Sequence, residues 1–495
     1  MSGSPMDHPE LIAGPNPLLE VAAPFLTFDE FPAALTREPL VGLDWHSLAP
    51  AYRSALLRLC EQHYHPSRFV LDIAESLQST LRGGLMARNP MSVAEQRRIN
   101  CLALAGNLED MRLQSLRVPA GGGIISAITG MGKSALLQRA LEVIAPEQVV
   151  VHGKSEACGW SSLTQVLYLV IDAPFNGTRG GLLTRIVEGF DMLLGTDHSE
   201  TLRKLRNLDA SLLFVIKLLS NHRVGILAID ENQQQNFDDS AWRDSFILFF
   251  LGLMNLGIPV LLLGNPLAFV GLETASQNIR RFSNTGHHKL SPAASASERW
   301  WSEDYVPGMC RFLLCDGAPP VHEIVERTFA MSAGVPGLFG PLWIEAQRLA
   351  LRRGGDRVVL THDDLLAASS TPRVRELLAI AAQILGTTAE QRFTDIPVKM
   401  GATRLDKAAK TSASPAEALS ENAVKVFDPV AEQREKFKRQ LRASQRQAEK
   451  RKERGDHLGS EDLKIFERKM EAFAGLEGAQ EPLLTGSNRA RPKLR

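Results

Sequence analysis

Apolar residues recur at helical spacing between about Ser47 and Gly83, at Leu56, Leu57 and Cys60 and then at Phe69, Val70, Ile73, Leu77 and Leu81. Residues three and four apart share a helix face, so this stretch predicts two or so amphipathic helices, the second ended by Gly83-Gly84. From about 95 to 290 the pattern changes. Short apolar runs (Gly123 to Ile128, Gln148 to His152, Gln165 to Ile171, Val224 to Ile229, Val260 to Leu263) alternate with helical segments. That alternation predicts a parallel sheet covered by helices. Two of the runs, Gln148 to His152 and Gln165 to Ile171, flank a polar stretch with Gly153, Lys154 and Gly159, and could form a long hairpin. From about Ser291 to Pro372 helical periodicity returns without strands, as in Leu338 to Leu351, which is the pattern of a compact helical domain. Residues 1 to about 45 are rich in Pro and hold no sustained period, which predicts an irregular arm.

Four parts follow: 1–95 an arm and helical segment, 96–290 an α/β core, 291–372 a helical domain, and 373–495 a charged, flexible tail. Phe246 to Gly271 runs 26 residues without a charge, long enough for a hydropathy window to score it as a membrane span. Asn255, Gly257 and Pro259 interrupt it, so a buried helix followed by a buried strand is expected instead, with no membrane contact.

Composition adds bounds rather than detail. The 495 residues suffice for two to four domains, and 44% hydrophobic with 23% charged residues is the balance of a soluble globular protein. The 56 basic and 56 acidic residues cancel, which excludes a uniformly basic nucleic-acid coat and leaves local patches. One such patch is 434–454, with ten Lys or Arg against three acidic residues; it reads equally as a solvated charged helix or as a contact for DNA or an acidic partner. Five scattered cysteines, Cys60, Cys101, Cys158, Cys310 and Cys315, suggest neither a disulfide framework nor a zinc site, and with no visible secretion signal a cytoplasmic protein is expected.

The sharpest chemistry lies in Ala127-Ile128-Thr129-Gly130-Met131-Gly132-Lys133-Ser134, a phosphate-binding loop pattern between an expected strand and an expected helix. Gly130 and Gly132 let backbone N–H groups converge on phosphate oxygens, with the positive end of the helix behind them. Lys133 would reach the β- and γ-phosphates of ATP, and Ser134 would offer its hydroxyl to Mg2+. An ordinary glycine-rich turn is the plainer alternative. About a hundred residues on, Gly225-Ile226-Leu227-Ala228-Ile229-Asp230-Glu231 is an apolar strand ending in two carboxylates. Asp230 would hold the metal through its water shell, and Glu231 would polarise the attacking water as general base; a helix-capping acidic turn is the alternative. A further strand, Ile258 to Gly264, carries Asn265 at its tip, where it could position water or merely form a turn before Pro266. Arg280 and Arg281 follow, either as surface residues or as arginines entering a neighbouring subunit's site.

Together these residues resemble the AAA+ family, with Lys133, Asp230, Glu231, Asn265 and Arg280 or Arg281 at its Walker A, Walker B, sensor 1 and arginine-finger positions. The resemblance implies a P-loop AAA+ three-layer core with a parallel sheet, followed by a helical lid. Gly84 to Pro90, Gln165 to Gly177 and Ile258 to Ala268 narrow it: they look like the TnsC/TniB group of DNA-transposition ATPases, over roughly residues 45 to 372. Membership would imply an ATPase that forms homo-oligomers on duplex DNA, with nucleotide sites between subunits. Its implied partners are transposase subunits and a target-selection protein. It also implies DNA contacts from the core, for which Lys154 is a candidate, with a solvated loop lysine as the alternative. The chain departs from the family pattern twice. Ala127 replaces the first loop glycine, which Ala can do where φ is negative. Gly334-Val335-Pro336-Gly337-Leu338 stands where many such proteins carry a sensor 2 arginine, which implies slow, switch-like turnover. An initiator- or loader-type ATPase with the same site and other partners stays open at this point, as does an ATP-binding scaffold with incidental hydrolysis.

Overall fold

The computed structural model describes residues 7–107, 110, 117–118, 120–174, 178–232, 249–269, 282 and 285–386, the side chains of 231 and 232 excepted. All belong to one compact unit, Met1–Leu405. Arg280, Arg281 and the basic stretch 434–454 lie outside the described residues.

Seven strands are described: β1 (Gly122–Ala127), β2 (Val149–His152), β3 (Leu163–Val166), β4 (Tyr168–Asp172), β5 (Ile226–Asn232), β6 (Val260–Gly264) and β7 (Gly286–Leu290). Five form the central sheet in the order β4, β5, β6, β1, β7, and every pairing in it is parallel. Successive side chains of a strand face opposite sides, and the two cores follow that rule. Ile125, Ile226, Ala228, Leu261 and Leu263 join the core on one face, where helices Arg68–Ala87 and Lys133–Ile144 pack. Ile124, Leu227, Ile229, Val260 and Leu262 join the other, under helices Arg179–Leu194 and Leu208–Asn221. A sheet apolar on both faces needs cover on both, which is why these strands read as unbroken apolar runs. The expected α/β class, with helices on both sides of a parallel sheet and a helical domain after it, is what the chain forms.

Three local expectations need correction. Gly83-Gly84 does not end a helix; helix Arg68–Ala87 runs through both. A Cβ on Gly84 would stand 2.9 Å from the Pro259 ring, so this glycine serves close packing of the helix on the loop before β6 rather than a break. Gln165 to Ile171 is two strands instead of one. β3 pairs antiparallel with β2 as the expected hairpin, and β4 joins the sheet beside β5. Leu167 makes the switch, its N–H donating to Gln148 and its carbonyl accepting from Ile226. β7, missed in the sequence, reads Gly-His-His-Lys-Leu; it is an edge strand and needs no apolar run to pair with β1.

In the charge-free stretch, residues 249–255 are helical and β6 follows, as expected. No described helix is long and apolar enough to cross a membrane. The arm is irregular but not loose. Leu18, Leu19, Phe31 and Leu35 are fully buried, Arg82 holds Glu10 at 2.6 Å, and Arg139 donates to the carbonyls of Ala34 and Leu35. After β7 come helices Val321–Ser332, Pro336–Arg353 and His362–Ser369 around Trp301, Phe339 and Trp343. Helix Arg375–Ile384 continues this bundle past 372, with Ala381 and Ile384 buried in the same core.

Candidate functional site

Parallel pairing brings the carboxyl ends of β1, β5 and β6 to one edge of the sheet, where ligands of open parallel sheets collect. β1 ends at Ala127, and Ala127 and Ile128 are fully buried. The chain then turns through Gly130 and Gly132, at φ +87° and +81°, a left-handed conformation that a Cβ disfavours. Helix Lys133–Ile144 starts immediately after, with Gly132 as its cap and no side-chain acceptor at that end. The exposed Thr129 and the buried Met131 complete the turn. Backbone donors at a helix start, reached through left-handed glycines, form a concavity suited to an anion.

Lys133 lies against this turn, its ammonium 2.9 Å from the Ala127 carbonyl and 3.2 Å from that of Ile128. Burial lowers its pKa from the usual lysine value, and the Asp230 charge opposes that shift. Ser134 donates its hydroxyl to the Asp230 carboxylate, which is buried at 6% exposure. Two residues far apart in the chain thus present hard oxygen atoms side by side, the donor set that suits Mg2+. Among the described residues no group of three or more His, Cys, Asp or Glu side chains could hold a metal alone. The register of β5 on β6 shifts between Ile229 and Asn232. This irregularity falls on Asp230 and Glu231, and such bulges re-aim side chains at functional edges.

The other expected residues divide. Asn265 follows the tip of β6 at the same edge, and its side-chain oxygen accepts from the Leu267 N–H at 3.0 Å, which holds it in the turn that starts at Pro266. Lys154, in the turn of the β2–β3 hairpin, pairs with Glu156 at 2.9 Å, and both side chains are exposed. The Glu231 side chain, Arg280 and Arg281 lie outside the described residues.

One contact was missed in the sequence. The Gly337 N–H donates to the Gly130 carbonyl at 2.7 Å, joining the first turn of helix Pro336–Arg353 to the phosphate-type loop. In the sequence the Gly334 to Leu338 stretch stands out only for the arginine it lacks, and no side-chain pattern marks a backbone-to-backbone contact between residues roughly 200 positions apart.

No protein-family description matches this chain, and no curated protein matches it. Among solved structures it is similar to the Aeropyrum pernix ORC1 protein in complex with DNA (19% identity, 51% of this chain and 59% of that one, TM-score 0.32). It is also similar to Cdc6p from Pyrobaculum aerophilum (11% identity, 50% and 61%, TM-score 0.35) and to the Aeropyrum pernix ORC2 protein (15% identity, 56% and 67%, TM-score 0.33). The chain spans about three-fifths of the length of the first two. Likeness this slight carries no activity or partner across, and the site stands on its own geometry.

Proposed function

We propose that this chain is an ATPase of the AAA+ kind that binds Mg2+-ATP at the turn 127–134 and, as the TnsC/TniB resemblance implies, assembles on duplex DNA to recruit or activate a transposase. The observation that carries the nucleotide reading is the Ser134 hydroxyl on the buried Asp230 carboxylate, beside an ammonium and two left-handed glycines at the carboxyl edge of a parallel sheet.

In this reading the backbone N–H groups of 130–134 hold the phosphates, and the Lys133 ammonium exchanges its carbonyl partners for phosphate oxygens. Ser134 and Asp230 hold Mg2+, which when bound neutralises charge on the β- and γ-phosphates. Glu231 takes the proton of the attacking water. Asn265, fixed by its bond to Leu267, positions that water, and Arg280 or Arg281 serves a neighbouring subunit's site. Residues 96–290 act as nucleotide-binding core and 291–372 as lid. Contacts to DNA fall mainly on phosphates, with Lys154 among them, so target choice rests with a partner.

The test is assembly on duplex DNA followed by electron microscopy and by DNA binding at graded salt, with Lys133→Ala as control. ATP-dependent assembly that Lys133→Ala abolishes is expected, with binding that weakens steeply as salt rises. Assembly indifferent both to ATP and to that substitution defeats the reading.

A further inference from the structure

The first N–H groups of a helix have no partner within it. In helix Pro336–Arg353 the first residue is proline, which has no N–H, and the capping residue is Val335, which has no side-chain acceptor. Gly337 therefore carries the first N–H of this helix, and that N–H is satisfied by Gly130 of the loop at 2.7 Å. The approach is backbone on backbone: a Cβ on Gly337 would stand 2.7 Å from the Gly130 Cα and 2.9 Å from its carbonyl oxygen. The turn that delivers Gly337 is itself held. Ala333 and Gly334 are left-handed, the Gly334 carbonyl accepts from Ala293 just after β7, and the Tyr305 hydroxyl donates to the Pro336 carbonyl at 3.0 Å. Tyr305 is braced in turn by stacking on Trp301.

A peptide unit is planar, so a hydrogen bond on the Gly130 carbonyl fixes the plane of the Gly130–Met131 peptide in the middle of the loop. We propose that the Gly337 N–H, with the Tyr305 hydroxyl behind it, is a positioning group for the phosphate loop, through which the helical domain sets the loop's affinity for nucleotide. The inference rests on the ATP-binding reading above. It assigns to one main-chain hydrogen bond the coupling between helical domain and nucleotide that an arginine side chain would otherwise make. Coupling is reciprocal: if the contact favours the loop shape that binds phosphate, bound nucleotide strengthens the contact.

The experiment compares the full chain with Gly337→Ala, Tyr305→Phe and Lys133→Ala. It measures Mg2+-ATP and Mg2+-ADP affinity by fluorescence titration, unfolding temperature, and backbone hydrogen exchange over 333–342 with and without nucleotide. Gly337→Ala should weaken affinity on the order of tenfold or more, because the added carbon drives the two backbones apart. Tyr305→Phe, which keeps the ring, should weaken it about two- to tenfold, the size of one hydrogen bond's net contribution. In the unaltered chain nucleotide should slow exchange over 333–342, a response a merely structural contact would not give. Should Gly337→Ala not fold, Tyr305→Phe and the exchange data decide. Unchanged affinity in folded variants, or exchange indifferent to nucleotide, overturns the inference while leaving the ATP site standing. An unaltered chain that binds no nucleotide removes both.

Discussion

Ser134 and Asp230 meet across 96 positions of sequence, and in the proposed reading neither alone would hold the metal. A buried carboxylate is costly unless it is hydrogen-bonded or faces a cation; here the Ser134 hydroxyl supplies the first, the Lys133 ammonium contributes to the second, and Mg2+ would add to it. The two roles separate on substitution. Asp230→Asn keeps the shape and an acceptor but loses the charge, so ATP affinity in EDTA should hardly change while the gain on adding Mg2+ disappears. Hydrolysis should fall by about a hundredfold, the usual scale for losing a group that steadies transition-state charge. Ser134→Ala should lose a smaller part of the same gain, since Asp230 remains. Titration calorimetry with and without Mg2+ checks both, and an undiminished Mg2+ dependence in Asp230→Asn would place the cation elsewhere.

Among the elements, helix Arg68–Ala87 offers a test in which two neighbouring glycines should respond with opposite sign. A glycine inside a helix costs about 0.5–1 kcal/mol relative to alanine. Gly83 faces open space, so Gly83→Ala should stabilise by about that amount. Gly84 lies against the Pro259 ring, which cannot rotate away, so Gly84→Ala should destabilise by about 1–3 kcal/mol. Denaturant midpoints of the two variants measure the difference, and equal shifts would mean that helix and loop separate more easily than their packing implies. The same helix shows what a sequence can and cannot display. Its apolar face at Val70, Ile73, Leu77 and Leu81 was legible because periodicity records burial against one side. The glycine pair was misread because a close approach and a chain break call for the same residue. β1, β5 and β6 were legible as apolar runs, and the loop and Asp230 by their position after such runs. β7 was hidden because edge pairing uses the main chain, which no side-chain pattern records. The contact between Gly130 and Gly337 was hidden for the same reason.

Across the whole described molecule, the segment between the arm and helix Arg68–Ala87 fastens the helical domain to the rest. Arg53, nearly buried, holds Asp316 at 2.8 Å, and Arg68 reaches both Asp304 and Glu303. His63 Nε2 is 2.9 Å from the Gly308 carbonyl, and Gly308 leaves no room for a Cβ beside His65. These ties join the stretch around Tyr305, the short helical turns Trp300–Tyr305 and Val306–Cys310, to helix Arg68–Ala87 and the segment before it, so loosening them should reach the loop 127–134 through Gly337. Protonation burdens this junction by charging buried rings, although the His63 Nε2–H keeps its bond to Gly308 in either form. Burial holds the pKa of His63 below its ordinary 6.5, with the Arg311 charge adding to the shift and the Gly308 carbonyl and Glu38 opposing it; burial lowers His65 likewise. In the unfolded chain these rings take up protons near 6.5, before the folded ones do, so the unfolded state binds more protons in that interval. Their contribution to stability is therefore complete above about 6.5 and is lost as pH falls from there toward the folded pKa. The unfolding temperature should drop between pH 7.5 and pH 5.5, and His63→Gln, which keeps a donor for Gly308 and cannot titrate, should flatten part of that drop. If His63→Gln follows the pH profile of the unaltered chain, protonation of this ring does not weaken the junction. If it flattens the profile, nucleotide affinity measured over the same range should decline less in the variant as well, because the junction and the loop are joined through Tyr305 and Gly337.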